Sequence, residues 1–159
     1  MNVLARCGGV GGQWVKGIAF DSRQVEPGYV FVATKGTTVD GHNYIGQAVE
    51  AGATAVVAEQ EPSELALPEA VVYLQVSDSQ EALGLLASRW YDQPSHNLKL
   101  LGITGTNGKT TVATLLHDLF TGLGYQAGLL STVEVRIGAE KRPATHTTPD
   151  ALATNAHLA

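Results

Sequence analysis

A glycine-rich loop between an apolar run and a helical pattern constrains the fold of this 159-residue chain more than any other feature. Residues 98–103 are typical of a buried strand, and the sequence GTNGKT follows at residues 105–110. Apolar residues then recur at helical spacing over 110–123, and residues 126–130 predict the next strand. Strand, loop, helix and strand within about thirty residues form one βαβ unit, which is the building block of a parallel sheet.

The loop has the chemistry of a phosphate-binding site. The first turn of a helix leaves backbone N–H groups unpaired and carries the positive end of the helix dipole, so it favours an anion. Gly105 and Gly108 allow the backbone to approach phosphate oxygens without a Cβ clash. The spacing departs from the motif G-x-x-x-x-G-K-[ST], which would need glycine where the chain has Ile103.

These features predict a nucleoside triphosphate site. Lys109 is the predicted catalytic residue, because its charge can reach the β- and γ-phosphates, and the hydroxyl of Thr110 is placed to bind Mg²⁺. The alternative is an ordinary glycine-rich turn with a solvated lysine. The predicted ATP-binding residues are Gly105, Thr106, Asn107, Gly108, Lys109, Thr110 and Thr111.

The sequence before residue 92 predicts a separate small α/β unit. Its expected order is strand (29–33), helix (44–51), strand (55–58), strand (71–76) and a helix from about residue 79. Gly52 is placed to end the first helix, and Asp78 or Ser79 to cap the second. The polar segment 92–97 is the predicted linker, so the expected domains are 1–93 and 94–159. Four glycines (Gly8, Gly9, Gly11 and Gly12) predict a flexible start rather than a second phosphate loop.

Composition excludes several classes of protein. The chain is 44% hydrophobic with a formal net charge of -5, and it lacks a run of basic residues, so we expect neither nucleic-acid binding nor membrane insertion. Cys7 is the single cysteine, which excludes an intramolecular disulfide and a cysteine-rich zinc site. No apolar run is long enough to span a bilayer, and no secretory leader is evident at the start. A cytoplasmic location is the resulting expectation.

Several segments resemble the Mur ligase and folylpolyglutamate synthetase superfamily. GITGTNGKTT at 102–111 resembles the ATP loop of these enzymes, which form amide bonds through an acyl phosphate. DSR at 21–23 and PGYVFVA at 27–33 resemble the N-terminal domain of the Mur ligases. YDQPS at 91–95 and TTPD at 147–150 resemble the tripeptide-forming (MurE-type) branch. The resemblance begins near residue 17 and covers the family's first domain and the opening of its central domain.

The resemblance implies a fold and an activity. The implied fold is a small α/β domain that binds a UDP-sugar, followed by the truncated start of a Rossmann-like P-loop ATPase domain with a parallel sheet. The implied reaction is ATP- and Mg²⁺-dependent addition of a diamino acid to UDP-N-acetylmuramoyl-L-alanyl-D-glutamate, catalysed by a protein that is a monomer at full length. We expect the 159-residue chain to be inactive alone. The substrate-binding residues that the resemblance implies are Phe20, Ser22, Thr37, Thr38, Val39, Thr147 and Thr148.

Other functions and simpler roles remain open at this point. The chain could belong to a next-step (MurF-type) ligase, or it could bind nucleotide and UDP-sugar without turnover; the segments at 21–23 and 147–149 argue against a folate enzyme. Residues 21–23 could be a surface turn closed by aspartate, and His42 is expected to be structural. Residues 147–150 fit a helix start with threonine capping. Three further side chains are expected to have no catalytic role: His117 on the loop's helix, and Lys141 and Arg142 in a solvated loop.

Overall fold

The computed structural model describes residues 3–7, 14–36, 39–65, 67–138, 140–143 and 149–159, with the backbone alone at 3–7 and 64. The predictions for Thr37, Thr38, Thr147, Thr148 and the four early glycines lie outside the described residues. The chain forms two compact units, residues 1–90 and 91–159. The predicted α/β class is confirmed.

The described residues of the first unit form a five-stranded sheet in the order β1-β5-β4-β3-β2. Its strands are β1 (Val3–Cys7), β2 (Gly17–Ala19), β3 (Tyr29–Val32), β4 (Ala55–Ala58) and β5 (Val72–Val76). Strands β2 to β5 run parallel to their neighbours, whereas β1 pairs antiparallel with β5. The helices are α1 (Ile45–Glu50) and α2 (Ser79–Trp90). The strands β3, β4 and β5 and both helices were predicted; β1 and β2 were not.

Short apolar strands and small residues explain this core. Val32, Val56 and Val57 are fully buried because the middle strands are covered on both faces, as is usual for parallel sheets. Helix α1 ends as predicted at Gly52, whose φ of 102° lies in the left-handed region. Gly52 N–H donates to the Val49 carbonyl and Ala53 N–H to the Ala48 carbonyl, which is the Schellman arrangement.

Among its described residues, the second unit contains two α-helices and a three-stranded antiparallel sheet in the order β6-β7-β8. Its elements are α3 (Lys109–Gly122), β6 (Gly128–Leu130), β7 (Glu134–Ile137), β8 (Glu140–Pro143) and α4 (Ala151–Leu158). The helix after the loop and the strand near 128–130 agree with the prediction. Near its start the second unit has a short 3₁₀ helix, Pro94–Asn97, preceded by Asp92 and Gln93 with φ values of 57° and 56°.

Two predictions for the second unit are wrong. Residues 98–103 do not form a strand, because a buried parallel strand needs hydrogen-bonded neighbours and no described strand pairs with them. Instead β6 takes β7 as its antiparallel partner through a tight turn, in which the Ser131 hydroxyl donates to the Glu134 carbonyl. Lys141 and Arg142 lie in β8 rather than in a loop, since this strand pairs with β7 along its whole length.

The second unit leaves much of its apolar surface exposed. Leu129 and Val135 are its buried hydrophobic side chains among the described residues, whereas Leu101, Leu115 and Leu119 are each more than half exposed. Helix α3 therefore presents an apolar stripe that no described element covers.

Candidate functional site

The GTNGKT loop leads directly into the first turn of α3. Gly105 and Gly108 have φ values of 146° and 78°, which only glycine adopts without strain. Gly108 is the N-cap residue of α3 and makes no side-chain capping bond, because it has no side chain. The start of α3 is therefore left without a side-chain acceptor, and its first-turn N–H groups are available to an external anion.

Lys109 covers this loop. Its ammonium nitrogen donates to the Gly105 carbonyl at 2.5 Å and lies 3.4 Å from the Thr106 carbonyl. Thr106, Asn107 and Lys109 are exposed, and Thr110 is half-buried in the first helical turn. The structure thus places the whole predicted set, including Thr111, in one exposed loop and helix start.

The start of α2, in contrast, is capped by side chains of the protein itself. The Asp78 carboxylate accepts from the N–H groups of Gln80 and Glu81, each at 2.9 Å. Glu59 Oε1 accepts from the backbone N–H of Ser79 at 3.0 Å and from its hydroxyl at 2.8 Å. Both bonds from Ser79 lower the pKa of Glu59, and the backbone bond has the larger effect. Two protein carboxylates therefore already occupy the α2 terminus, which leaves α3 as the long helix whose start is open to an anion in the described chain.

The predicted uridine segment forms a short 3₁₀ helix, Ser22–Gln24, after β2. Asp21 caps it by accepting from Arg23 N–H at 3.0 Å, so the simple aspartate-closed turn is present. The side-chain bond from Arg23 lowers the pKa of Asp21. Phe20 is half-buried, and Ser22 is buried with its hydroxyl donating to Gln47 Oε1 at 2.9 Å. Sequence reasoning missed Gln47, since a polar residue on an exposed helix face carries no spacing signal.

Part of the second predicted substrate segment, Val39, lies beside an antiparallel bridge, and we call the described residues Lys35, Gly36, Val39 and Asp40 the hairpin. Lys35 and Asp40 pair across its base, and Gly36 N–H donates to the Val39 carbonyl at 2.9 Å. Val39 is exposed. His42, which follows the hairpin, is buried and hydrogen-bonded on both ring nitrogens.

The third predicted segment is described only from Pro149 onward. Helix α4 begins at Ala151, and Asp150 is its N-cap, accepting from Ala153 N–H at 2.8 Å. Asp150, which the sequence did not single out as the cap, therefore takes the role expected of threonine. On α3, His117 lies beside Asp118, with Nδ1 3.1 Å from a carboxylate oxygen and 9% of the side chain exposed.

The described part of the chain shows neither a cluster of metal ligands nor a helix that could span a membrane. No group of three or more His, Cys, Asp or Glu side chains there could hold a metal ion. Within the same residues, no helix combines the length and apolar character that crossing a bilayer requires.

Two family models match most of the chain. The model "Mur ligase family, catalytic domain" matches residues 15–91, and the model "Mur ligase middle domain" matches residues 103–159. The first match ends one residue past the division between the two compact units, and the second match lies within the second unit.

Curated relatives share about half of the residues. The chain is 53% identical over 145 residues to the UDP-N-acetylmuramoyl-L-alanyl-D-glutamate--2,6-diaminopimelate ligase of Cytophaga hutchinsonii, covering 91% of this chain and 30% of the relative. It is 52% identical over 141 residues to the ligase of the same name from Bacteroides fragilis, covering 89% of this chain and 29% of the relative. The chain therefore spans about 30% of the length of the curated relatives that it matches.

Solved structures give the same pattern. A structure of a UDP-N-acetylmuramoyl-L-alanyl-D-glutamate--2,6-diaminopimelate ligase aligns with a TM-score of 0.70 and 28% identity, over 94% of this chain and 31% of that one. A structure of MurF from Acinetobacter baumannii aligns with a TM-score of 0.54 and 28% identity, over 91% of this chain and 27% of that one.

Proposed function

The chain belongs to the Mur ligase family, and from that premise we propose that it supplies the UDP-sugar-binding and ATP-phosphate-binding parts of an ATP-dependent amide ligase. The proposed reaction joins 2,6-diaminopimelate to UDP-N-acetylmuramoyl-L-alanyl-D-glutamate, as the names of its relatives state for those proteins. The proposed domain roles are UDP-sugar binding by residues 1–93 and ATP binding by 94–159. We place the reaction in the cytoplasm.

The observation that carries the proposal is the open start of α3. Gly105 and Gly108 expose backbone N–H groups, and Lys109 supplies a positive charge on the same exposed surface. Phosphoryl transfer depends mainly on alignment and charge neutralisation, which is what such a loop provides. Lys109 contacts the carbonyl oxygens of Gly105 and Thr106, and we propose that it turns toward the phosphates when ATP binds.

Magnesium fits the donors that are present. Mg²⁺ prefers oxygen ligands and retains several waters, so one protein hydroxyl together with phosphate oxygens suffices to hold it. Thr110, half-buried in the first turn of α3, is the proposed protein ligand. The ion would neutralise charge on the triphosphate.

The proposed reaction has two steps. The side-chain carboxylate of D-glutamate attacks the γ-phosphorus of ATP, which gives an acyl phosphate and ADP. The diaminopimelate amine then attacks the acyl carbon, phosphate leaves with the C–O bonding pair, and the nitrogen loses a proton to form the amide. The proposed role of this chain is to hold the triphosphate and the nucleotide end of the acceptor substrate.

We assign the acceptor's contacts to the first unit and to the segment before α4. Phe20, Ser22 and Val39 belong to the first unit, and the same role is proposed for Thr37 and Thr38. Thr147 and Thr148 are proposed to contact the muramoyl-peptide part. A MurF-type function is the weaker candidate, because the alignment with the MurF structure has the lower TM-score, 0.54 against 0.70.

A binding experiment separates the two roles. A truncated chain that ends at Gln93 is titrated with UDP-N-acetylmuramic acid and, separately, with ATP, and binding is followed by NMR chemical shifts. We expect shifts with the UDP-sugar and none with ATP, whereas the 159-residue chain should respond to both. A folded truncated chain that ignores the UDP-sugar would refute the assignment of the first unit.

A turnover experiment tests the reaction itself. A longer protein that contains this chain and the remaining family domains is assayed for phosphate release with UDP-N-acetylmuramoyl-L-alanyl-D-glutamate, ATP and either diaminopimelate or lysine. The proposal expects release that depends on diaminopimelate. Phosphate release that instead requires the UDP-linked tripeptide as the acceptor and a dipeptide as the incoming amine would identify the next-step ligase.

A further inference from the structure

We propose that His42 is a positioning residue for the uridine-nucleotide site, because it fixes the hairpin that carries Val39. The inference rests on the proposed function, which takes Val39 as a substrate contact. His42 itself is buried, with 1% of its side chain exposed, so it acts through the hairpin and not by touching the substrate.

The base of the hairpin is closed by backbone contacts. Lys35 and Asp40 pair in antiparallel fashion, and Gly36 N–H donates to the Val39 carbonyl at 2.9 Å. A Cβ atom on Gly36 would lie 3.0 Å from that carbonyl oxygen, so the approach is close. The position of Val39 is thus set by where Lys35 and Asp40 are held.

His42 holds the Asp40 end. Its Nδ1 lies 2.6 Å from Asp40 Oδ1, and its Nε2 accepts from the backbone N–H of Glu59 at 3.0 Å. Because Nε2 is an acceptor, the ring proton is on Nδ1 and is donated to Asp40. The imidazole therefore links the hairpin to the residue that follows β4.

Lys35, at the other end of the hairpin, also contacts Glu59. Lys35 Nζ lies 3.4 Å from Glu59 Oε2, while Glu59 Oε1 is fixed by Ser79 at the start of α2. Gln80 Nε2 also donates to the Lys35 carbonyl at 3.2 Å. Both ends of the hairpin are therefore anchored at the carboxyl end of β4, and His42 and Ser79 are the buried residues of this arrangement.

A purely structural role would give a different result from a positioning role. Loss of a structural bond lowers the free energy of unfolding but leaves the affinity of the folded protein unchanged. Loss of a positioning bond raises the Kd for the ligand beyond what the fraction of unfolded protein explains. The experiment must therefore measure both quantities on the same variants.

The test uses the 159-residue chain and UDP-N-acetylmuramic acid, with Kd from calorimetry and stability from urea unfolding. His42→Gln keeps an acceptor for Glu59 N–H and loses the ring bond to Asp40, and we expect a five- to tenfold rise in Kd, of about the size of one lost hydrogen bond. Gln80→Ala removes an exposed tie to Lys35, and a rise of about twofold is expected. Tyr73→Phe is the matched control, because it deletes the hydroxyl bond to the Gln60 carbonyl, which is a bond to neither Lys35 nor Asp40.

The outcomes are distinct. A raised Kd for His42→Gln and Gln80→Ala, with wild-type affinity for Tyr73→Phe, supports the proposal. Wild-type affinity in both test variants overturns it and leaves the proposed function intact. A rise that is equal in His42→Gln and Tyr73→Phe also overturns it, since that result identifies a structural role. Failure of the wild-type chain to bind the UDP-sugar refutes the proposed uridine site, and the positioning role with it.

Discussion

Replacement of Lys109 with methionine should separate ATP binding from folding. Methionine has a similar length and removes only the ammonium group. That group donates to the Gly105 carbonyl at 2.5 Å and lies 3.4 Å from the Thr106 carbonyl, in an exposed loop. Exposed contacts of this kind contribute little to stability, so we expect Tm to change by less than about 2 °C.

The effect of Lys109→Met on ATP affinity should be much larger. A hydrogen bond to a charged group contributes about 1.5–3 kcal/mol, which corresponds to a rise in Kd of about 10- to 150-fold. The bonds to the Gly105 and Thr106 carbonyls are lost when the lysine turns to the phosphates, so the lower part of that range is expected. Adenosine, which has no phosphates, should bind equally to both proteins.

Calorimetry with MgATP on the 159-residue chain measures this change, and thermal unfolding measures Tm. Lys99→Met is the matched control, because Lys99 is an exposed lysine of the same unit outside the loop. An ATP Kd for Lys109→Met within threefold of the wild-type value would remove this lysine from the site. An equal loss of affinity in Lys99→Met would show that net charge, and not loop geometry, determines binding.

Three further predictions concern backbone conformation, pH and turnover. Gly52→Ala should lower the free energy of unfolding by more than about 1 kcal/mol, because φ is positive there and the new Cβ would lie 2.9 Å from Pro27 Cα. Gly46→Ala, at a helix position with open space, should instead raise the free energy of unfolding by about 0.5–1 kcal/mol. Urea unfolding measures both changes. The pKa of Glu59 is lowered in the folded protein, so its contribution to stability is present at pH values above its ordinary pKa of 4.5 and is lost as pH falls through the lower pKa of the folded state. Glu59→Gln should therefore flatten the dependence of stability on pH in that acidic range. An unchanged slope would contradict the Ser79 contacts. The 159-residue chain should form no amide product from ATP, the UDP-linked dipeptide and diaminopimelate, as measured by mass spectrometry, and turnover near that of a chain with all the family domains would place the catalytic set in these residues.

Local signals in the sequence were enough to predict much of the first unit. Apolar runs predicted β3, β4 and β5, because the residues of these strands are themselves the apolar side chains that the core buries. Gly52 predicted the end of α1, since its positive φ is a property of one residue. The glycine loop and the start of α3 were predicted for the same reason.

Features that depend on distant partners could not be predicted in this way. Residues 98–103 have strand-like composition, but pairing decides whether a strand forms, and β6 pairs instead with its sequence neighbour β7. The contact between Ser22 and Gln47 spans 25 residues, and neither side chain signals the other. Similarly, the tie between Glu59 and the start of α2 arises only once the sheet has been assembled.

The antiparallel pairing of β1 with β5 has a consequence for how the protein is made. Val3 pairs with Val76, so the two strands are separated by nearly the whole first unit. During synthesis from the amino end, β1 emerges from the ribosome long before its partner exists, while β2 to β5 can assemble in the order in which they appear. Such long-range closure is slow, because the entropy of a large loop must be lost before any contact is gained. Until then the nascent chain carries an open strand edge on β5, and an unpaired edge of this kind is a template for strand pairing with another chain.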